Sequence, residues 1–360
     1  MFKKLRLPIW TLILPVLAGL AYFFQSGELT TFYTVVLTGF LIACVLAAVH
    51  HAEVVAHRVG EPYGTLILAL AITIIEVALI VSLMLTGGPE TTALARDTVF
   101  AAVMIILTGM IGLSLCVGGV KFHQQIFSLS GVNVALIALT AISVLTLILP
   151  NYTSTTPGPF YSKVQMIFVA IASLVIYLGF IFVQTLRHRD FFLPPGTDGN
   201  EEEHLAPPSG LTTGLSAVTL LICLGLVVLL AKSLAPSIEN AVIEAGAPKS
   251  LVGVVIAFVV LLPEGLAALR AARLNRVQTS LNLALGSALA SIGLTIPAVA
   301  IVSIITGMTI TLGIDMKSTV LLLLSLITVM LSTTTGKTNI LQGIILLMIF
   351  AAYLLTIIVP

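Results

Sequence analysis

Residues 66–80 read Leu66-Ile67-Leu68-Ala69-Leu70-Ala71-Ile72-Thr73-Ile74-Ile75-Glu76-Val77-Ala78-Leu79-Ile80. Thr73 and Glu76 alone interrupt an unbroken apolar run, and the run continues on either side. A stretch of about 20 apolar residues is long enough to cross a bilayer as a helix. The rest of the chain repeats the pattern. Spans are expected at 7–24, 31–49, 64–86, 98–119, 131–149, 161–186, 212–234, 250–270, 279–304, 317–334 and 338–358. Of the 360 residues, 58% are hydrophobic and 9% charged, against roughly 45–50% and 25% in soluble globular domains. So little charge cannot cover a water-facing surface. The fold expected is an all-α polytopic membrane protein of about eleven transmembrane helices.

Lys3, Lys4 and Arg6 precede the first apolar run. No small-residue cleavage site follows it, so it reads as an uncleaved span. Cys44, Cys116 and Cys223 lie in apolar stretches and imply no disulfide framework. Sixteen basic against fifteen acidic residues exclude a nucleic-acid binder, which needs a basic face. Segment 187–211 carries Arg187, Arg189, Asp198, Glu201, Glu202, Glu203 and His204 among several prolines. It cannot bury a core and reads as an acidic hydrated linker. Eleven of the sixteen Lys and Arg residues fall on one side if the N-terminus is cytoplasmic. That bias sets the N-terminus and linker inside and the C-terminus outside. Eleven spans divide as a first span (1–30), a five-helix set (31–186), the linker (187–211) and a second five-helix set (212–360). An odd number per set would give the two sets opposite topologies, which is the architecture of inverted-repeat transporters.

Two carboxylates sit inside the expected spans, one in each set. Glu76 is in the third span and Glu264 in the eighth, within Val259-Val260-Leu261-Leu262-Pro263-Glu264-Gly265. A carboxylate at a helix centre costs about 2.5–3.5 kcal/mol on insertion scales. Such a residue should face an interior cavity or be protonated. Pro263 has no amide hydrogen and releases the carbonyl of Val259, so a broken or kinked eighth span is expected at the acid. Free carbonyls beside a carboxylate suit a hard cation, which takes oxygen ligands. Thr73 precedes Glu76 by one turn. In the ninth span Ser287, Ser291 and Thr295 recur every four residues and share a face, with Asn282 and Gly286 adjoining. These are candidate neutral ligands, although small residues also serve plain helix packing. Thr108, Gly109, Gly112 and Ser114 form a weaker counterpart in the fourth span, and Ser325, Thr328 and Ser332 a hydroxyl face in the tenth.

Glu53, His57 and Glu61 are spaced four apart and make one stripe on a helix. They could line an inner mouth or proton path; a solvated juxtamembrane helix is the alternative. The segment is not His-Glu-x-x-His, so a zinc-protease motif is absent. Glu239 and Glu244 could gather cations at an outer mouth; a plain polar loop is the alternative. No phosphate-binding loop or cofactor motif occurs, so the expectation is no cofactor and no ATP coupling. Nor do the expected spans hold a buried histidine for an intramembrane hydrolase, so an enzyme is not expected.

The chain resembles the ChaA-type cation/proton antiporters, related to the calcium/proton exchangers of the calcium/cation antiporter superfamily. The resemblance runs over nearly the whole chain. It is carried by Ala56-His57-Arg58-Val59-Gly60-Glu61-Pro62-Tyr63-Gly64 leading to Glu76, by Arg96-Asp97-Thr98, by Pro263-Glu264-Gly265, by Asn282-Leu283-Ala284-Leu285-Gly286-Ser287 and by Thr335-Gly336-Lys337-Thr338-Asn339. It implies eleven spans with two inverted repeats, each giving one acid to a central cation site. The family's signature glutamates fall on Glu76 and Glu264, its Gly-Glu-x-x-Gly element on Gly60, Glu61 and Gly64. In calcium/proton exchangers the signature glutamate follows a Gly-Asn pair. Here Ile72-Thr73 and Val260-Leu261 stand there, and Gln342 replaces a common Glu in the C-terminal motif. ChaA-type members are associated with sodium and potassium as well as calcium. The resemblance therefore implies export of calcium, with sodium and potassium as further substrates, in exchange for protons in a bacterial inner membrane. A cation channel with an acidic centre is the alternative.

Overall fold

A computed structural model describes residues 7–25, 30–60, 63–87, 91–193, 208–244, 246, 248 and 250–359. Eleven helices follow the order of the eleven expected spans. They are α1 (Trp10–Phe23), α2 (Thr31–Val59), α3 (Tyr63–Gly87), α4 (Leu94–Phe122), α5 (Leu129–Tyr152), α6 (Lys163–Arg187), α7 (Gly210–Glu244), α8 (Ser250–Arg273), α9 (Val277–Thr306), α10 (Met316–Thr333) and α11 (Ile340–Ile358). Among the described residues nine helices are long and apolar enough to span a membrane; Trp10–Phe23 and Thr73–Leu85 are shorter apolar stretches. Regular strands are absent from the described residues, which hold two isolated bridges. The chain is an all-α polytopic membrane protein.

Two expected span ends are corrected. α2 runs ten residues past the expected end at 49, to Val59, and stops at Gly60, whose φ is 78°. The extension carries His50 and His51 as helix. His51 is fully buried, with Nε2 3.3 Å from the carbonyl oxygen of Thr11 in α1. A buried histidine is thus present, against expectation: packing on a neighbouring helix, not hydropathy, decides where this helix ends. α7 likewise continues past 234 to Glu244, through Pro236.

The packing divides the chain into two compact units that each draw on both sides of the acidic segment. One comprises Met1–Thr86 and Glu202–Val252, the other Gly87–Glu201 and Gly253–Pro360. In the first unit α2 packs along α1 and α7. Cys44 in α2 and Cys223 in α7 stand at the same step from their helix starts, and both are fully buried free thiols.

In the second unit the contacts come in matched pairs. α4 packs on α11 while α9 packs on α6; α4 meets α10 while α9 meets α5. Glycines permit the closest approaches. A Cβ on Gly343 would lie 2.5 Å from the amide nitrogen of Cys116 in α4, and one on Gly293 would lie 2.7 Å from Cβ of Tyr177 in α6. The loops repeat the exchange. Ile126, after α4, bridges Lys337, before α11; Phe160, before α6, bridges Thr311, after α9. At the first bridge the amide of Gln125 donates to Thr338 Oγ1 and the amide of Thr338 donates back to the Gln125 carbonyl. At the second, the amides of Leu312 and Gly313 donate to the Pro159 carbonyl, and Asn151 Nδ2 donates to the Ile314 carbonyl at 2.6 Å. Nearby, Tyr161 donates its hydroxyl to the Leu145 carbonyl. The helices that enter from these bridges begin alike. Ser162 with Gln165 and Asn339 with Gln342 each form a capping box, satisfying two otherwise orphaned amides.

Candidate functional site

α3 carries Thr73 and Glu76 three residues apart, hence on neighbouring positions of one face. Glu76 is 4% exposed and Thr73 equally buried, in company with Ile75, Leu79 and Ile80. α3 belongs to the first compact unit. Its apolar flanks explain the helix; the carboxylate is the feature that they do not explain. Burying an ionised carboxylate in an apolar medium is so costly that the group is neutralised, paired or ligating a cation.

Glu264 is 8% exposed on α8. The helix is continuous from Ser250 to Arg273 and passes through Pro263. The expected break is corrected. Losing one amide donor leaves the other helical bonds of the segment, and membrane helices tolerate a proline on those terms. The position of α8 is fixed at three levels by α4. A Cβ on Gly253 would lie 3.1 Å from the Thr98 amide nitrogen, one on Gly265 would lie 3.6 Å from Met110 Cγ, and Lys121 Nζ donates to the Arg273 carbonyl at 3.0 Å. The two helices therefore run parallel at nearly constant register. That register sets Glu264 level with Ile105–Met110, where α4 forms a π-turn. Such turns insert an extra residue into a helix and loosen its carbonyl ladder, often at functional positions. Thr108, fully buried within it, donates to the Met104 carbonyl.

α9 packs against this same π-turn. It brings Ser291 (1% exposed) and Thr295 (fully buried) on the face read from the sequence. Thr295 Oγ1 has no hydrogen-bond partner in the described structure. Ser143, fully buried in α5, also has a hydroxyl without one. Buried hydroxyl oxygens of this kind can serve a cation or water that reaches them. Ser287 is half-buried, and a Cβ on Gly286 would meet nothing within 4 Å. Asn282 is committed elsewhere: its Oδ1 accepts from Gln278 Nε2 at 3.0 Å, and its Nδ2 donates to the Phe192 carbonyl at 2.7 Å. It thereby holds the turn Arg189–Phe192, where the chain leaves α6. Ser325 of α10 is fully buried and donates back to the Leu321 carbonyl.

The entrance residues fall on helices. Glu53 and His57 are exposed on the last turns of α2, and Glu61 lies outside the described residues. Glu239 is half-buried and Glu244 exposed, both on the extended end of α7. Glu201, Glu202, Glu203 and His204 also lie outside the described residues. Arg58, at the end of α2, donates to the carbonyl of Pro208, in the last residues of the linker, at 3.2 Å. Among the described residues no three of His, Cys, Asp and Glu cluster as a metal site. The π-turn went unread in the sequence. Its one trace is Thr108-Gly109 within an apolar run.

Gln342, where the resembling family commonly has Glu, has a donor's task. Its Oε1 accepts from the Asn339 amide, and its Nε2 donates to the Ser332 carbonyl at 2.9 Å. A carboxylate could do the first and not the second.

The chain matches the family model described as sodium/calcium exchanger protein over residues 7–186 and 215–359. The protein y4hA of Sinorhizobium fredii is 41% identical over 369 aligned positions, covering 99% of this chain and 98% of that one. The sodium-potassium/proton antiporter ChaA of Escherichia coli is 37% identical over 354 positions, covering 96% and 95%. Among solved structures, the H+/Ca2+ exchanger CAX superposes with a TM-score of 0.72 at 17% identity, over 98% of this chain and 88% of that one. Native YfkE gives 0.71, also at 17%, over 98% and 99%. These two likenesses bear on the fold.

Proposed function

The chain belongs to the sodium/calcium exchanger protein family, and from that membership we propose that it is a secondary active antiporter. It exchanges cations for protons by alternating access at a site built on Glu76 and Glu264. One observation carries the reading: among the described residues each five-helix set buries a single carboxylate, on its second helix, in a chain whose charged residues are only 9%. The repeats are residues 31–186 and 212–360. The crosswise pairing of α4 with α11 and α9 with α6, the exchanged loop bridges and the matching capping boxes support an inverted pair. The bias of Lys and Arg supports a cytoplasmic N-terminus in a bacterial inner membrane.

In the cycle, burial and mutual repulsion raise the proton affinity of the empty carboxylate pair. The pair titrates as a unit. Protons neutralise it, or a cation displaces them and is ligated by ionised oxygens. Thr73, Ser287, Ser291 and carbonyls near Pro263 supply neutral oxygens. Only the protonated or cation-loaded forms cross, because an empty doubly charged site is too costly to bury. That exclusion couples the two fluxes, and the proton gradient drives calcium, and sodium or potassium, outward. The identity to the sodium-potassium/proton antiporter favours a broad cation range.

The test uses purified protein in liposomes with an acid interior and a trapped pH dye. Calcium, sodium and potassium are added separately to wild type and Glu264→Gln. The expected outcome is cation-dependent collapse of the gradient in wild type, lost in the variant. Cation flux without proton movement, in folded protein, would replace this reading with a channel.

A further inference from the structure

The second compact unit contains a cavity of about 240 Å³ between α4, α8 and α11, lined by residues that include Gly109, Met110, Phe258, Gly265, Leu347 and Phe350. The lining side chains are all apolar. The cavity lies at mid-span on α4 and α8 and is open at one side. Its rim residues Leu113, Phe258 and Leu266 are 42%, 55% and 49% exposed. Those rim positions lie within helices long and apolar enough to cross a membrane. Two glycines keep the floor open. A Cβ on Gly109 would reach the Phe350 ring at 3.6 Å, and one on Gly265 would reach Met110 Cγ at the same distance. Both are ordinary contacts, so packing alone does not demand glycine at either place. The floor is also the back of the site. Gly265 follows Glu264, and Gly109 and Met110 belong to the π-turn at the same level.

We propose that this groove binds one acyl chain of a membrane phospholipid. Water and cations are excluded as occupants, since each needs several polar partners and the walls offer none. A transmembrane helix, about 10 Å across, does not fit a space of this volume. A single hydrocarbon chain does, and the surrounding bilayer presents such chains along the open side. Left empty, the groove would forfeit the dispersion contacts of its lining. The bound chain seals the back of the turn that carries Glu264. The inference depends on the chain spanning a bilayer and not on which ions it moves.

Fluorescence quenching by brominated lipid tests it on the full chain. The sequence has one tryptophan, Trp10, so Trp10→Phe gives a silent background. Phe258→Trp then reports from the rim, and Phe168→Trp reports from the 65% exposed face of α6 as the ordinary lipid-facing control. Both are reconstituted with rising fractions of phospholipid brominated on its chains. The expected result is a shift of half-quenching to a lower brominated fraction for F258W than for F168W. On dilution into unbrominated vesicles, F258W should also recover more slowly. Adding Gly265→Leu, which fills the floor, should remove the shift. Equal quenching and recovery at both reporters would overturn the proposal without any filling variant. So would quenching of F258W by brominated fatty acid and not by brominated phospholipid.

Discussion

The two carboxylate-bearing helices hold equivalent places in their halves and are built differently. In α8, Pro263 and Gly265 flank Glu264, and α4 beside it contains the π-turn Ile105–Met110. In α3, Ile75 and Val77 flank Glu76, with no proline or glycine between Gly64 and Gly87. The helix that follows each also differs. α4 takes the π-turn and packs on α11 through glycines, while α9 stays α-helical through Pro297 and packs on α6 through Gly293. The halves thus share the acid and the packing partners while placing their helix irregularities at different points. On the proposed function both halves must keep the carboxylate, while the means of loosening the backbone around it is free to vary.

The largest expected effect tests that shared requirement. Glu76→Gln and Glu264→Gln should each reduce proton-coupled cation flux in liposomes to the leak of protein-free vesicles, with the protein still eluting as folded in detergent. Loss in one variant and retention in the other would break the equivalence of the two helices.

The glycine contacts sharpen the comparison. Gly343→Ala drives a Cβ to 2.5 Å from the Cys116 amide nitrogen and 2.7 Å from the Gly112 carbonyl oxygen, so the α4–α11 backbones must part. Gly293→Ala meets the Tyr177 side chain at 2.7 Å. Overpacking of this kind costs about 1–3 kcal/mol, with Gly343→Ala expected at the upper end and Gly293→Ala below it, read as thermal unfolding in one detergent. Gly286→Ala, where a Cβ meets nothing, should gain up to about 1 kcal/mol from helix propensity. A larger loss at Gly293 than at Gly343 would make the α9–α6 contact the tighter one.

Pro263→Ala probes the asymmetry at the acid. An amide at 263 can donate to the Val259 carbonyl, worth about 0.5–1.5 kcal/mol net. Stability should rise by roughly that while exchange slows, because a carbonyl near Glu264 is withdrawn. Unchanged exchange would remove the Val259 carbonyl from the site.

These contrasts also mark how far the sequence could be read. Glu76 and Glu264 were legible because a carboxylate in an apolar run is costly wherever the helix goes. The eleven helices were legible for the same reason of medium: hydrocarbon leaves the backbone little alternative to a helix. The ends at Val59 and Glu244 were not. Hydropathy falls at His50 and after Leu234, but the helices continue, α2 with His51 buried toward Thr11. The exchange of partners between halves was hidden too, since Gly112, Gly293 and Gly343 look alike in sequence. Only the packing shows that Gly112 faces Leu346 and Leu347, Gly293 a tyrosine and Gly343 a backbone amide and carbonyl. Asn282 was read as a ligand by its neighbours Gly286 and Ser287, yet both ends of its amide are bonded, to Gln278 and Phe192.

The smallest effect separates the two capping boxes. In both, an N3 glutamine returns a hydrogen bond to the N-cap amide, and a glutamate could do the same. A carboxylate there also gains about 0.3–1 kcal/mol from the helix N-terminus. The amide nitrogens differ. Gln165 Nε2 reaches only Thr155 Oγ1, exposed and at 3.4 Å, whereas Gln342 Nε2 donates at 2.9 Å to the carbonyl of Ser332, near the end of α10. Replacing that donor by an oxygen sets two acceptors against each other and leaves the carbonyl unsatisfied, a cost of about 1–3 kcal/mol where the site is buried and less at this partly buried one. Gln165→Glu should therefore be neutral or slightly stabilising, and Gln342→Glu destabilising, in the same thermal assay at neutral pH. Lowering the pH until the glutamate protonates restores a donor and should narrow the difference. Equal stabilities at both pH values would mean that the Ser332 bond contributes nothing and that the two helix starts are interchangeable.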